Sequence, residues 1–337
     1  MNANALFGAL CLSVVVGCGP RVNDDEQSSS GGNGGAPSSG GSGGMSAGAG
    51  SAGSGEVPQN EGGVGGGPAG NGASGGAGGS SQTEGAFTFL TYNVAGLPEG
   101  ISQSHPAVNL SLISPLSNPY EVVVVQENFT FADYAQILRS AATHEYKSTP
   151  KPAAGGTDIG DGLNFFSRLF FADQDLYREA WGTCFGVVTN ASDCLTSKGF
   201  AVVEVRLSEG ASFDLYDLHM DAGGAAEDMA ARSAQVEQLL AQLAVRSAER
   251  AVIVAGDTNM RASEDSLARL LAEGELTDSC RVLSCGDERI DRIFFRNATN
   301  LNLAPARWRT ADEFVDGSGQ PLSDHLAVAV DFAWHML

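Results

Sequence analysis

Residues 121–128 read EVVVVQEN. Four consecutive β-branched valines favour extended backbone, and because no polar residue alternates with them the segment has no face to give to water. It must be a strand covered on both sides in the middle of a sheet, with Gln126, Glu127 and Asn128 emerging where the strand ends. Apolar runs of strand length recur at 87–92, 162–167, 200–207, 213–219, 251–256, 290–295 and 325–332. The clearest helix spans 226–248, where Met229, Ser233, Val236, Leu240 and Leu243 recur at spacings of four, three, four and three and form the expected core face. Weaker helical patterns cover 131–142 and 263–273. Strands with helices between and around them make an α/β domain whose helices pack outside stacked sheets.

The N-terminal quarter cannot join that core. Of 44 glycines in 337 residues, 24 fall between residues 31 and 85, mixed with Ser, Ala and Asn. Such chains behave as random coils, so residues 19–85 are expected to be a disordered tether of roughly 40–50 Å, leaving 86–337 as one catalytic-sized domain. Ahead of the tether, the apolar stretch from Ala5 to Val16 is shorter than the ~20 residues a bilayer span requires and reads as a signal-peptide core. It runs through Val15, Val16 and Gly17 into Cys18, which resembles the lipobox of bacterial lipoproteins. Residues 1–18 are then a lipoprotein signal, acylated Cys18 is the membrane anchor, and the protein is exported to the cell envelope or surface. The first four residues lack the usual Lys or Arg, and an ordinary secretory signal with an incidental cysteine is the alternative.

The chain carries 19 basic and 40 acidic side chains, a net charge of -21, and residues 86–337 alone stand near -16. That balance excludes a basic nucleic-acid clamp and suits a soluble, monomeric domain. It disfavours polyanionic partners unless a metal cation neutralises the meeting point. Cys184, Cys194, Cys280 and Cys285 lie in the domain, an even number in an exported chain. Their close spacing favours Cys184–Cys194 and Cys280–Cys285 as local loop staples. A zinc site is the rival reading, but neither pair has CxxC spacing and no His lies nearby.

Polar residues collect where the apolar strands end: Asn93; Glu127; Asp161; His219 with Asp221; Asp257 with Asn259; Asp291; and Asp324 with His325. One strand-end carboxylate is usually a turn former. The joint composition is that of a reaction centre. Oxygen donors from Glu, Asp and Asn suit a hard cation such as Mg2+, with Mn2+ or another divalent ion as the alternative, which keeps waters and binds substrate phosphate. Two histidines beside carboxylates supply proton transfer and phosphate contact. These are the components of metal-assisted phosphoryl-ester hydrolysis.

TYNVAGL (91–97), VVVQEN (123–128), YDLHMD (216–221), VAGDTNM (254–260), IDRIFFR (290–296) and LSDHLAVAV (322–330) resemble, in order, the motifs of the endonuclease/exonuclease/phosphatase (DNase I-like) superfamily. GDxN followed by SDH is the specific part, and the resemblance covers essentially all of 86–337. It implies a four-layer α/β sandwich, two packed mainly antiparallel or mixed β-sheets flanked by helices, with the site at one edge. Carried over residue by residue, it makes Glu127 the principal metal ligand, with Asn93 beside it and Asp324 near the metal. Asp257 would orient or deprotonate the attacking water, and Asn259 would donate to phosphoryl oxygens. His219 would stabilise charge on the pentacovalent centre or assist the leaving group. His325, oriented by Asp291, would be the second phosphate-contacting imidazole and a candidate general base. The resemblance does not single out the general base, and a simple strand-end cap is the other reading of Asp291. Asp161 and Asp221 are expected to be structural.

Within the superfamily, DGLNFFSR (161–168) and Lys198-Gly199 resemble bacterial sphingomyelinases, which have comparable DG and KG positions. The expected activity is therefore a sphingomyelinase C-like phosphodiesterase acting on phospholipid head groups. A DNase I-like extracellular nuclease and a non-catalytic binding lipoprotein are the alternatives. Before Ser323, where bacterial sphingomyelinases carry an aromatic membrane-dipping hairpin, this chain offers Trp308 and Phe314, with Trp181 and Phe185 as substitutes in the first disulfide loop. Arg281, Arg289, Arg292, Arg296, Arg307 and Arg309 lead up to Ser323-Asp324-His325. Gathered on one face they would bind nucleic-acid phosphates; the expectation is that they pair with local acids such as Asp287, Glu288, Asp312 and Glu313.

Overall fold

Strands β1 (Glu84–Asn93), β2 (Val122–Gln126), β3 (Tyr146–Lys147), β4 (Asn164–Ser167), β11 (Leu301–Thr310) and β12 (Val328–Met336) form one sheet, in the order β11-β12-β1-β2-β4-β3. Strands β5 (Tyr177–Ala180), β6 (Gly199–Ser208), β7 (Ala211–His219), β8 (Val252–Asp257), β9 (Thr277–Asp278) and β10 (Asp291–Arg296) form the other, in the order β5-β6-β7-β8-β10-β9. The computed structural model describes residues 82–99, 104–153, 159–186, 190–286 and 289–337. The expected signal with Cys18, nearly all of the expected linker, and Asp287 and Glu288 lie outside the described residues.

In each sheet the parallel neighbours are the central pair, β1 with β2 and β7 with β8. Parallel neighbours need a crossover connection, and here α1 (Pro106–Leu116) and α3 (Ala226–Arg246) supply it. Both sheets are thus mixed rather than purely antiparallel. The valine run behaves as its composition demands. Val122 and Val124 face the layer between the sheets, with Phe89, Phe165, Phe213, Ile253 and Phe332, whereas Val123 and Val125 face the outer layer under α1 and α2 (Tyr134–Arg139), with Leu110, Ile113 and Leu138. The second sheet does the same. Val252 and Val254 pack outward on Val236, Leu239 and Leu243 of α3 and on Leu267 and Leu270 of α4 (Asp265–Glu273). Helix, sheet, sheet and helix make the four layers.

Some local expectations need correction. The buried face of α3 runs through Arg232, Gln235, Val236, Leu239 and Leu243, and Met229 is exposed. Arg232 turns the helix this way, because its guanidinium grips both carboxylate oxygens of Glu264 and the carbonyls of Asp221 and Gly223. The helix expected over 131–142 is a short 3-10 turn followed by α2 alone, since Ala132 and Asp133 adopt left-handed backbone (φ 49° and 61°). Helix α1 has no strong sequence signature; Pro106 at its first turn fixes its start. Strand β11 contains Pro305, tolerated because the strand is at a sheet edge and the register shifts between Pro305 and Arg307. Both expected disulfides, Cys184–Cys194 and Cys280–Cys285, are formed. No helix among the described residues is long and apolar enough to cross a membrane.

Candidate active site

Side chains in a strand alternate between faces, and the residues that fill the inter-sheet layer continue, at the same parity, into polar ones. Phe87 and Phe89 lead to Thr91 and Asn93; Val122 and Val124 to Gln126; Phe213 and Leu215 to Asp217 and His219; Ile253 and Ala255 to Asp257. Because β1, β2, β7 and β8 end at one edge, with Asn93 opposite Gln126 and His219 opposite Asp257, these polar ends converge. Antiparallel β10 begins at that edge, with Asp291 opposite Asp257, and β12 begins there with Val328 opposite Thr91, delivering Asp324 and His325. The site is the inter-sheet core continued into solvent, at the carboxyl ends of the parallel strands, where α/β sheets bind ligands.

Asn93 is its hub. Its Nδ2 donates to Glu127 Oε1 at 3.1 Å and to Asp257 Oδ2 at 3.0 Å and lies 3.4 Å from His325 Nε2, while its Oδ1 accepts from the Ala95 amide. His219 Nε2 lies 3.4 Å from Asp257 Oδ2 and 3.8 Å from Glu127 Oε1. His325 Nδ1 meets Asp291 Oδ2 at 2.9 Å, and its Nε2 is 3.7 Å from Asp257. Glu127 and Asn259 are both held in left-handed backbone (φ 59° and 50°), an uncommon conformation that concentrates at functional sites. Gly96 makes the Glu127 turn possible, because a Cβ there would run into the Glu127 carbonyl oxygen. Ser323 closes the rim by donating to the Asn93 carbonyl and accepting from the His325 amide.

Burial and neighbouring charges push the two imidazoles apart. Burial, reinforced by Lys198 and His325, holds His219 well below its ordinary pKa, so it is neutral at pH 7. Burial also opposes charging of His325, but Asp291 and Asp257 outweigh it and hold this imidazole well above its ordinary value. Burial alone would raise Asp257; His325, His219, Lys198 and the Asn93 hydrogen bond together bring it below the ordinary carboxylate range. Burial raises Glu127, against the pull of Lys198 and His325. The result is one firmly ionised carboxylate, Asp257, between a neutral and a cationic imidazole.

Asn259 sits beside this group, its amide bonding the Asp257 carboxylate and its side chain donating to the Met220 carbonyl. Asp324 is exposed on the rim, where its charge reaches Glu127 without contact. Asp161 anchors Arg178 at 2.8 Å, and Asp221 accepts from the Phe185 amide and from Gln235, so both tie loops together. Two groups were not assigned to the site from sequence. Lys198 lies against Asp193 Oδ1 at 2.5 Å and adds positive charge near His219 and Asp257; its only sequence signal was the Lys-Gly pair. Beneath the site, Gln126 Nε2 donates to Asp217 Oδ1 at 2.6 Å and to Thr91 Oγ1 at 3.1 Å. Neither Phe314 nor Trp181 is free to enter a membrane. Phe314 is 4% exposed and packs on Tyr92, and Trp181 donates its indole N–H to the His219 carbonyl.

The donors suit a hard cation. Glu127, Asp257 and Asp291 bring three carboxylates into one cleft, one ligand atom each from Asp257, Asp291 and His325 lies within 4.8 Å of the others, and the buried Oδ1 of Asp291 has no hydrogen-bond partner. Glu127, half-buried at the mouth of the cleft with Asp324 exposed on the rim beyond it, is placed to receive the cation. Asn93 turns its amide nitrogen, not its oxygen, toward Glu127, and in this arrangement steers the carboxylate.

The profile of the Endonuclease/Exonuclease/phosphatase family matches residues 90–325. Sphingomyelinases of Mycobacterium tuberculosis and Mycobacterium bovis are 33% identical over 272 residues, covering 74% of this chain and 53% of theirs, so the chain spans about half the length of these relatives. Sphingomyelinase C from Streptomyces griseocarneus shares the fold (TM-score 0.56, 23% identity, 73% of this chain and 99% of that one). So does D. rerio TDP2 complexed with single strand DNA product (TM-score 0.56, 18% identity, 73% and 98%). With two six-stranded mixed sheets between helices and the matched motifs converging at one edge, the chain belongs to the endonuclease/exonuclease/phosphatase family.

Proposed function

We propose that this protein is an exported, Mg2+-dependent phosphodiesterase of sphingomyelinase C type, anchored through acylated Cys18, that cleaves choline phospholipids into an apolar alcohol and phosphocholine. The observation that carries the chemistry is Asp257, ionised and shared among Asn93, His219 and His325. A carboxylate so placed orients the attacking water and takes its proton as the water oxygen bonds to phosphorus and the phosphorus–alkoxide bond breaks. The departing alkoxide takes a proton from solvent, and Asp257 returns its own to solvent. In-line displacement puts attacking and leaving oxygens on opposite sides of phosphorus. His325 Nε2 is 3.7 Å from Asp257, so its imidazolium flanks the phosphorus and serves the phosphoryl oxygens between attacking and leaving groups, where preorganised donors stabilise developing charge. Asn259 assists there, and neutral His219 holds the far side of Asp257. Glu127, steered by Asn93, would hold the divalent cation, with Asp324 nearby; when bound, the cation shares the phosphate's negative charge.

The lipid is favoured over nucleic acid by the mycobacterial sphingomyelinase relatives and by the arginines. Arg289 and Arg292 pair with Asp278, Arg296 donates to the carbonyls of Gly274 and Ser247, and Arg309 pairs with Glu313. Four of the six are thus committed inside the protein instead of forming a phosphate-tracking face. Incubating the purified protein with Mg2+ and, side by side, sphingomyelin vesicles, plasmid DNA and bis(p-nitrophenyl) phosphate tests the reading. Chelator-sensitive release of phosphocholine without plasmid nicking is expected; nicking without lipid cleavage would make the protein a nuclease.

A further inference from the structure

A cleft of about 550 Å3 opens beside His325 and Asp291, between the loop closed by Cys280–Cys285 and edge strand β11. Its size is that of a small-ligand site. Asp291, Asp324 and His325 line its mouth from the site, and the rest of its walls include Arg289, Ile290, Trp308, Leu326 and Val328, of which Ile290, Leu326 and Val328 fall inside motifs only as apolar filler. Leu326 directly follows His325, yet is 63% exposed. A large apolar side chain held in water beside a reacting centre gains free energy whenever a ligand covers it.

The walls also say what the ligand is not. Trp308 offers an aromatic face, the usual seat of a quaternary ammonium, but the Arg289 guanidinium already lies 5.2 Å from the ring centroid. A second cation would meet that charge at close range. Nor is the guanidinium aimed at an anion, since it donates to both oxygens of Asp278, at 3.3 and 3.4 Å, and to the Gly286 carbonyl. Arg289 therefore acts as a pinned, flat cover over Trp308. What remains open is an aliphatic and aromatic trough starting at the catalytic imidazole.

We infer that this cleft seats the hydrocarbon substituent of the phosphodiester, and that Trp308 and Leu326 determine specificity by reading its first methylenes. The inference rests on the phosphodiesterase reading above and adds the placement of the chain: hydrocarbon along β11, choline away from it.

The test compares butyl with octyl phosphocholine, both monomeric at the concentrations used, by phosphocholine release with Mg2+. The quantity read is the octyl-to-butyl ratio of kcat/KM within each protein, which partial loss of folded enzyme does not alter. Each fully buried methylene favours binding by about 0.8 kcal/mol, roughly fourfold, so four partly buried ones should give a ratio of ~10 or more in the unaltered protein. In Trp308→Ala and Leu326→Ser the ratio should fall to about 2 or less, while Val245→Ser, exposed near the end of α3, should keep it. An unaltered protein that cleaves sphingomyelin vesicles but shows the same ratio in both cleft variants overturns the cleft assignment alone. Failure to cleave vesicles and both esters overturns the phospholipid reading and the cleft with it.

Discussion

Asn93 and Asp257 stand 164 positions apart and on different sheets, yet the amide nitrogen of one lies 3.0 Å from the carboxylate of the other. One layer deeper, Gln126 and Asp217 make a second bridge between the sheets at 2.6 Å. Glu127 directly follows Gln126 and His219 is two residues past Asp217, so the deeper bridge sets the separation at which the reacting groups meet. The site is as rigid as the core it continues, which is how a catalytic constellation is held within a fraction of an ångström.

Asn93→Ala removes the donor shared by Glu127 and Asp257. Turnover should fall by ~10²-fold, as when one preorganised donor is lost, and the Mg2+ concentration for half-maximal rate should rise because Glu127 is no longer steered. A metal titration of the variant checks both. Unchanged half-saturation would assign Asn93 to Asp257 alone.

Asp217 is fully buried, and burial holds its carboxyl well above 3.8, with one oxygen lacking a partner. Above pH 3.8 the native state keeps a proton that the unfolded chain releases, so this group's contribution to stability falls as pH rises. Asp217→Asn keeps the acceptor for Gln126 and removes that dependence. It should be at least as stable as the unaltered protein at pH 7, with an advantage that grows with pH, whereas Asp217→Leu leaves the Gln126 amide with Thr91 as its one remaining acceptor and should cost about 1–3 kcal/mol. Urea melts at pH 5 and pH 8 separate the cases.

The two-faced burial of Val122–Val125, the strand-end positions of the polar groups and the disulfides were all legible in the sequence, because each follows from local spacing. The alternation that carries Phe213 and Leu215 into Asp217 and His219 was legible too, since a period of two puts Asp217 on the same face as His219 and one step deeper. Pairings across the sheets were not. Nothing local joins Gln126 to Asp217 or brings the Lys198 charge toward His219 and Asp257, since these depend on how two sheets stack and how a disulfide loop returns. The buried face of α3 was misread for a similar reason: Arg232 outcompetes Met229 for the interior only because Glu264 and two loop carbonyls wait there. Strand β11 was hidden by Pro305, which argues against a central strand but not an edge one.

His144 is buried, with Nε2 2.8 Å from the Tyr120 carbonyl, and burial keeps its pKa below 6.5. Below pH 6.5 the unfolded chain takes up a proton that the native imidazole resists, so stability falls as pH falls through that value. His144→Asn should be less stable than the unaltered protein at pH 7.5, but the gap should narrow toward pH 5.5. Asp217 titrates alike in both proteins and cancels from the comparison. A constant gap across that range would mean that His144 does not carry the dependence.

Cys18→Ala tests the proposed anchor. Several acyl chains, each contributing ~0.8 kcal/mol per buried methylene, hold a protein on a membrane without a spanning helix. The variant should move to the soluble fraction while kcat on a soluble ester stays unchanged, since Cys18 precedes Asn93, the first residue of the site, by 75 positions. Membrane association that survives the substitution would remove the lipoprotein reading.

Gly256 precedes Asp257 in β8, with φ 136°, and a Cβ there would collide with the Leu218 carbonyl oxygen and lie 3.0 Å from the Leu218 N and C atoms. The obstacle is backbone of the neighbouring central strand, so neither partner can yield without moving His219 or Asp257, which face each other in that register. Gly256→Ala should therefore cost about 2–4 kcal/mol, strain and clash together, and should lower kcat even where the variant is fully folded. Gly210 gives the comparison. Its φ is 84°, but a Cβ would meet only the end of the Met336 side chain at 3.4 Å, in the β6–β7 turn far from the site. Gly210→Ala should cost about 1 kcal/mol from backbone conformation alone and leave turnover intact. Thermal melts with kcat measured well below each midpoint decide it: equal losses of stability, or full activity in folded Gly256→Ala, would show that the β7–β8 contact does not set the distance between His219 and Asp257.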